Sequence, residues 1–136
     1  MSTSLRRRHV LIAEDNHDIS WSMSALLKLE GYDVETVDDG RDAVDAACAH
    51  SPEIVLLDIG LPGLDGYRVA ERLRGEPGLK GVLIIAISGS DAELYPGRSQ
   101  RAGFDHHLVK PVDIAALLPL METESRRVRA PHHPDS

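Results

Sequence analysis

The apolar run 10–13 ends on Glu14, Asp15 and Asn16, and the run 54–57 ends on Asp58. The run 82–87 ends on Ser88, and Leu108-Val109 is followed by Lys110. Three carboxylates, a hydroxyl and an ammonium group thus follow directly on segments that read as buried. If those segments lie parallel in one sheet, all five side chains reach the same edge, where open parallel sheets bind their ligands. Such a gathering is costly: two carboxylates about 5 Å apart repel by roughly 3 kcal/mol at an effective dielectric near 20. A hard divalent cation offsets that repulsion, and Mg²⁺ favours one or two carboxylates together with water and phosphate oxygens. Glu14, Asp15 and Asp58 are the natural ligands, and the backbone carbonyl of Gly60 can complete the set.

A carboxylate surrounded by Mg²⁺, a lysine and a hydroxyl is suited to become an aspartyl phosphate, with the carboxylate as nucleophile. Lys110 would neutralise charge on the transferred phosphoryl group, and Ser88 would donate to another of its oxygens. Asp58 is the best nucleophile because it ends a central segment, between the Glu14/Asp15 pair and Ser88. Singly, each residue has a plainer reading. An acid at a strand end is more often a helix N-cap, Ser88-Gly89-Ser90 is a plain turn, and a lysine before proline is usually on the surface. All four sets occupy the same kind of position, which the plainer readings leave to coincidence.

Short aliphatic or β-branched segments at 10–13, 33–37, 53–57, 82–87 and 106–109 must position these groups. Between most of them lie stretches of helical period. Ile19, Met23, Leu26 and Leu27 define the apolar face of the first helix, and Gly31 suits its C-terminal stop. Ala43, Val44, Ala46 and Ala47 mark the second, over about 41–50. The third opens at the N-cap Asp65 and carries Val69, Ala70 and Leu73. Strands alternating with crossovers of this length predict βαβ units in a doubly wound α/β sandwich, with 33–37 as an edge strand. Pro96-Gly97 interrupts the expected fourth helix, 91–102, so that helix is expected to be short or late. Pro119 falls inside the fifth, which starts near Asp113, and is expected to kink or interrupt it.

The 136 residues fit one domain, and a 42% hydrophobic content can bury a core. Fifteen basic against 22 acidic residues argue against general nucleic-acid binding. The arginines at 6–8, 126, 127 and 129 read as solvated termini. No apolar run is long enough for a signal-peptide core or a membrane span, so a cytoplasmic protein is expected. The single cysteine, Cys48, reads as a small buried side chain in the run Ala46-Ala47-Cys48. Beyond residue 122 the chain turns polar and is expected to fray, as is 1–7, and His132-His133 is weak evidence of a metal site.

Glu14-Asp15-Asn16, the stretch 58–66 (DIGLPGLDG), Ser88 and Lys110-Pro111, in that order and spacing, resemble the receiver domain of response regulators. The resemblance covers about residues 8–121. It implies a flavodoxin-like (βα)5 fold with sheet order 2-1-3-4-5, and Mg²⁺-dependent phosphorylation of Asp58 by a sensor histidine kinase or a histidine phosphotransfer protein. It further implies that Glu14, Asp15 and Asp58 bind the metal, Ser88 is the switch hydroxyl and Lys110 contacts the phosphate. His107 stands where the family's switch aromatic usually lies. The segment 102–111 resembles receivers attached to hybrid sensor kinases. The chain starts with Met and has no room for an output domain, so a stand-alone receiver is expected, signalling by altered binding to a downstream protein.

Three alternatives compete with this reading. A haloacid-dehalogenase-type phosphatase needs a second acid two residues after the nucleophile, where Gly60 stands. A nucleotide-binding module lacks both a Walker lysine and a glycine fingerprint at the first strand; Gly60, Gly63 and Gly66 read better as a loop that frees space around Asp58. A degenerate receiver would act as a protein-binding module without being phosphorylated. Finally, Trp21 lies about 200° round the first helix from Ile19, which predicts an outward side chain. In the family that helix receives the phosphate-donating helical bundle, which makes Trp21 a candidate docking residue.

Overall fold

The computed structural model describes residues 8–90 and 96–123. Arg6, Arg7, Arg126, Arg127, Arg129 and the His132-His133 pair lie outside the described residues. The elements alternate as β1 (His9–Ala13), α1 (His17–Leu29), β2 (Asp33–Val37), α2 (Gly40–His50), β3 (Ile54–Asp58), α3 (Gly66–Gly75), β4 (Leu83–Ser88), α4 (Pro96–Ala102), β5 (His106–Val109) and α5 (Ile114–Met121). All strand pairs are parallel, in the order β2-β1-β3-β4-β5. The order reverses between β1 and β3, so the C-terminal ends of those two strands border the crevice of the fold.

The strand sequences explain the layers. Central strands covered on both faces need apolar residues at every position, and β3 and β4 are buried throughout. Leu11, Val55, Leu57, Ile84 and Ala86 pack under α2, α3 and α4. Val10, Ile12, Leu56, Ile85 and Ile87 pack under α1 and α5. Asn16, Asp39, Asp65 and Asp113 cap α1, α2, α3 and α5, each accepting a backbone N–H of the first turn. Such caps contribute about 1 kcal/mol each and start the helix close behind its strand.

Several expectations need correction. The buried stripe of α1 is Ser20, Met23, Ser24 and Leu27. Leu26 is 44% exposed, and Ile19 is only partly buried. The small serines take the close-packed positions against the sheet, which turns the helix away from its most apolar arc. Cys48 is exposed. One helical step of about 100° carries it past the buried Ala46 and Ala47 to the solvent side. In α5 the helix continues through Pro119 and ends two residues later. The missing N–H there would have bonded to Ala115, at the helix's second residue, so a short helix loses only one bond. The fourth helix starts late, at Pro96, as the proline predicts. Glu122 and Thr123, the first residues of the expected tail, are tied down. Tyr32 Oη donates to Glu122 Oε2 at 2.6 Å, and Thr123 Oγ1 lies 2.7 Å from His106 Nε2.

Candidate functional site

β1, β3 and β5 bring their terminal groups to one edge of the sheet. Glu14, Asp15 and Asp58 each present a carboxylate oxygen, and the three atoms lie within 4.8 Å of one another. Glu14 and Asp58 are buried, whereas Asp15 is exposed. Lys110 Nζ reaches across from the end of β5, 3.0 Å from Glu14 Oε1 and 3.3 Å from Asp58 Oδ2. Backbone donors hold the carboxylates in place: Asn16 N–H donates to Glu14 Oε2 and Gly60 N–H to Asp58 Oδ1, both at 3.0 Å.

The charges do not balance. Three carboxylates against one ammonium leave two net negative charges, and among the described residues nothing makes a hydrogen bond of good geometry to the buried Glu14 Oε1, although Lys110 Nζ stands 3.0 Å away. Burial pushes the Glu14 pKa up and the charge of Asp58 adds to it, while Asn16 N–H and Lys110 only partly oppose them. For Lys110, burial alone would lower the pKa. The hydrogen bond to Glu14 and the charges of Asp58 and Glu14 outweigh it, so the pKa is raised and the group stays an ammonium. A divalent cation held by hard oxygen ligands matches both the surplus charge and the orphaned oxygen.

The β3–α3 loop is shaped by glycines beside this site. A Cβ on Gly66 would lie 2.8 Å from Asp58 O and 2.7 Å from Ile59 Cα, so only glycine lets α3 start against the backbone of Asp58. A Cβ on Gly40 would collide with Leu64 O, and Gly40 N–H donates to Pro62 O at 3.0 Å. The first residue of α2 therefore positions the loop that follows Asp58. Sequence reasoning noted Gly66 and missed Gly40; the signal was a glycine directly after an N-cap aspartate.

Ser88 and His107 meet each other between β4 and β5. Ser88 Oγ donates to Ser90 O at 3.0 Å and lies 3.2 Å from His107 Nε2. Ser88 is fully buried at the end of β4, beside the strand that carries Asp58. Gly60 is exposed one turn of the loop beyond Asp58. Trp21 is 74% exposed on α1, as its phase predicts. Leu26, on the other edge of the exposed face, joins Ile19, Ser22, Pro111, Val112 and Ile114 around a mostly apolar groove of 310 Å³ that also touches Lys110.

The model of the response regulator receiver domain matches residues 10–122. The receiver domain of a sensor histidine kinase from Pseudomonas aeruginosa, solved with a magnesium ion coordinated in its active-site cleft, is 30% identical. That match covers 85% of this chain and 95% of the other, with a TM-score of 0.78. A CheY-like receiver domain from Methylobacillus flagellatus is also 30% identical, covering 85% of this chain and 97% of that one, with a TM-score of 0.78. Chemotaxis protein CheY4 of Vibrio cholerae is 26% identical, with coverage of 84% and 95% and a TM-score of 0.77. Among the described residues no helix is long and apolar enough to cross a membrane. The sheet order, the acids at the switch point and the family match agree, and this chain belongs to the receiver domain family of two-component signalling, whose members are phosphoacceptors.

Proposed function

We propose that Asp58 accepts a phosphoryl group from a phosphohistidine of a sensor histidine kinase or histidine phosphotransfer protein. The observation that carries this is the uncompensated acid cluster with Lys110 bridging Glu14 and Asp58. A carboxylate oxygen of Asp58 attacks phosphorus, and the P–N bond to the donor imidazole breaks. The freed imidazole keeps the electron pair and takes up a proton. Lys110 moves its charge from the carboxylates onto a phosphoryl oxygen. Glu14, Asp15, Asp58 and the Gly60 carbonyl are the ligands for Mg²⁺, which when bound supplies charge neutralisation at the phosphoryl oxygens. Attack of water on the acyl phosphate returns Asp58 to its free state, so the domain is a self-limiting phosphoacceptor and not a turnover enzyme.

Phosphorylation gives Ser88 a better acceptor than Ser90 O. Turning towards the phosphoryl group breaks its contact with His107, and that release is the switch we assign to the pair. A downstream protein then reads the altered surface near β5. The donor docks over α1, at the groove between Leu26 and Val112 and against Trp21, which places its phosphohistidine beside Lys110 and Asp58.

Incubation with acetyl phosphate and Mg²⁺, followed by intact mass, tests the core of this reading. One phosphoryl adduct is expected, absent in chelator. Unlabelled protein under conditions that label another receiver would instead leave a domain that acts by protein binding without phosphorylation.

A further inference from the structure

A second group of metal-ligating side chains lies away from the acid cluster. His9 opens β1, Glu35 sits in the middle of β2, and His50 is the last residue of α2. Glu35 Oε1 is 3.7 Å from His9 Nε2 and 2.9 Å from His50 Nδ1, so a single carboxylate oxygen serves both imidazoles. Their ring centroids are 6.4 Å apart. His9 and Glu35 are each 31% exposed and His50 is 54% exposed, leaving room for a solvent ligand. His9 is held from behind, because its backbone N–H donates to Glu53 Oε1 at 3.0 Å.

We propose that His9, Glu35 and His50 form a second metal site, for a borderline transition-metal ion of the Zn²⁺ class, independent of the Mg²⁺ ligands at the other end of β1. Two imidazoles and one carboxylate with an open fourth position suit such an ion and suit Mg²⁺ poorly. Two ligand atoms on one tetrahedral Zn²⁺ stand about 3.3 Å apart; the separations from Glu35 Oε1 fall on either side of that value, whereas the two imidazole nitrogens lie more than 4.8 Å apart and must approach. The two rings must close to about 5 Å between centroids, which rotation of the exposed His50 side chain can supply. The C-terminal end of α2 also carries partial negative charge, which favours a cation there. An ion at this place ties β1, β2 and α2 together without touching the phosphoacceptor edge.

The test uses the full chain in excess Mg²⁺, which occupies the acid cluster, with Zn²⁺ as the probe. One Zn²⁺ is expected to bind by calorimetry and to raise the melting temperature. His50→Gln and Glu35→Gln should each weaken it by roughly tenfold or more. The double variant His132→Ala/His133→Ala should bind as the wild type does. Circular dichroism checks that each variant is folded, and imidazole ¹⁵N spectra identify the loaded nitrogens as His9 Nε2 and His50 Nδ1. Absence of Zn²⁺ binding, or binding that survives His50→Gln but not the tail variant, overturns the proposal. Failure of acetyl phosphate labelling would bear on the acid cluster alone.

Discussion

Arg74 and Asp105 form one charged cluster, and Glu14, Asp58 and Lys110 form another. Both are buried against the same sheet, yet their hydrogen bonding differs. Arg74 and Asp105 are 7% and 2% exposed at the side chain and meet at 2.9 Å. Arg74 also donates to the carbonyls of Gly103, Lys80 and Val82, and Asp105 Oδ2 accepts Ile84 N–H. One positive charge meets one negative, and the fork of the guanidinium is spent on fixed carbonyls. At the acid cluster one lysine meets Glu14 and Asp58, Asp15 lies close by, and among the described residues the buried Glu14 Oε1 has no hydrogen bond of good geometry. The first cluster locks the end of α3 to β4 and the start of β5. The second holds unmet negative charge where a cation and a phosphoryl group can use it. Charge balance distinguishes the two, and the acid cluster is also the more open, with Lys110 23% exposed at the side chain and Asp15 on the surface.

Neutralising one acid in each cluster should therefore act in opposite directions. Asp58→Asn is expected to abolish the phosphoryl adduct and, in metal-free buffer, to raise stability by about 1 kcal/mol, because it relieves repulsion between acids. Intact mass and a denaturant melt check both halves. A stoichiometric adduct at another residue would remove Asp58 from its role. Asp105→Ala leaves Arg74 buried without its anion and is expected to cost about 3–5 kcal/mol, while the folded fraction still labels with acetyl phosphate. If both substitutions destabilise equally, the contrast between the clusters fails.

Asp15→Ala is the next largest effect. Mg²⁺ should raise the wild-type melting temperature by mass action, and the variant should lose most of that shift. Identical melting of the wild type in Mg²⁺ and in chelator would mean that the three acids do not bind the ion.

These two clusters also show what the sequence could reveal. The acid cluster was legible because each member follows an apolar run, and parallel strands bring such ends together whatever the helices do. The Arg74–Asp105 lock was not legible: its members are 31 positions apart, and Arg74 reads as an ordinary basic residue in a last helical turn. The strands were legible from their apolar runs, whereas their order followed only from the resemblance to the receiver family. Leu26 and Cys48 depart from the sequence pattern because apolar content alone does not fix burial: small serines fill the close contacts of α1, and Cys48 lies one helical step beyond the buried face of α2. The His9, Glu35 and His50 grouping depends on side-chain reach between strand and helix, which periodicity does not carry.

A smaller effect separates the clusters by pH. The Glu14 pKa is raised from its ordinary 4.5, so between the two values the folded state holds a proton that the unfolded chain has lost. Metal-free stability should then fall as pH rises through that window, and Glu14→Gln should flatten the slope. Melts at matched ionic strength, from below pH 4.5 upward, measure it. A slope unchanged in the variant would trace the dependence to another group.

The smallest expected effect lies at α1, outside both clusters. Trp21 and Leu26 stand on opposite edges of the helix's exposed face, about 140° apart by helical phase, with Leu29 between them at 83% exposure. Leu26 borders the groove beside Lys110, and Trp21 does not. A helical bundle laid across α1 has to cover both edges, whereas a single helix seated in the groove covers only Leu26. Trp21→Ala is expected to slow transfer from the cognate phosphohistidine protein several-fold and to leave acetyl phosphate labelling unchanged, since the small donor needs no docking surface. Leu26→Ala is the companion variant, and the pair reads out the width of the contact. Slowing by Leu26→Ala alone would confine the donor to the groove and release Trp21 from docking. Equal loss of both reactions in Trp21→Ala would place the defect in the fold, and in Leu26→Ala in the fold or in Lys110, which lines the same groove.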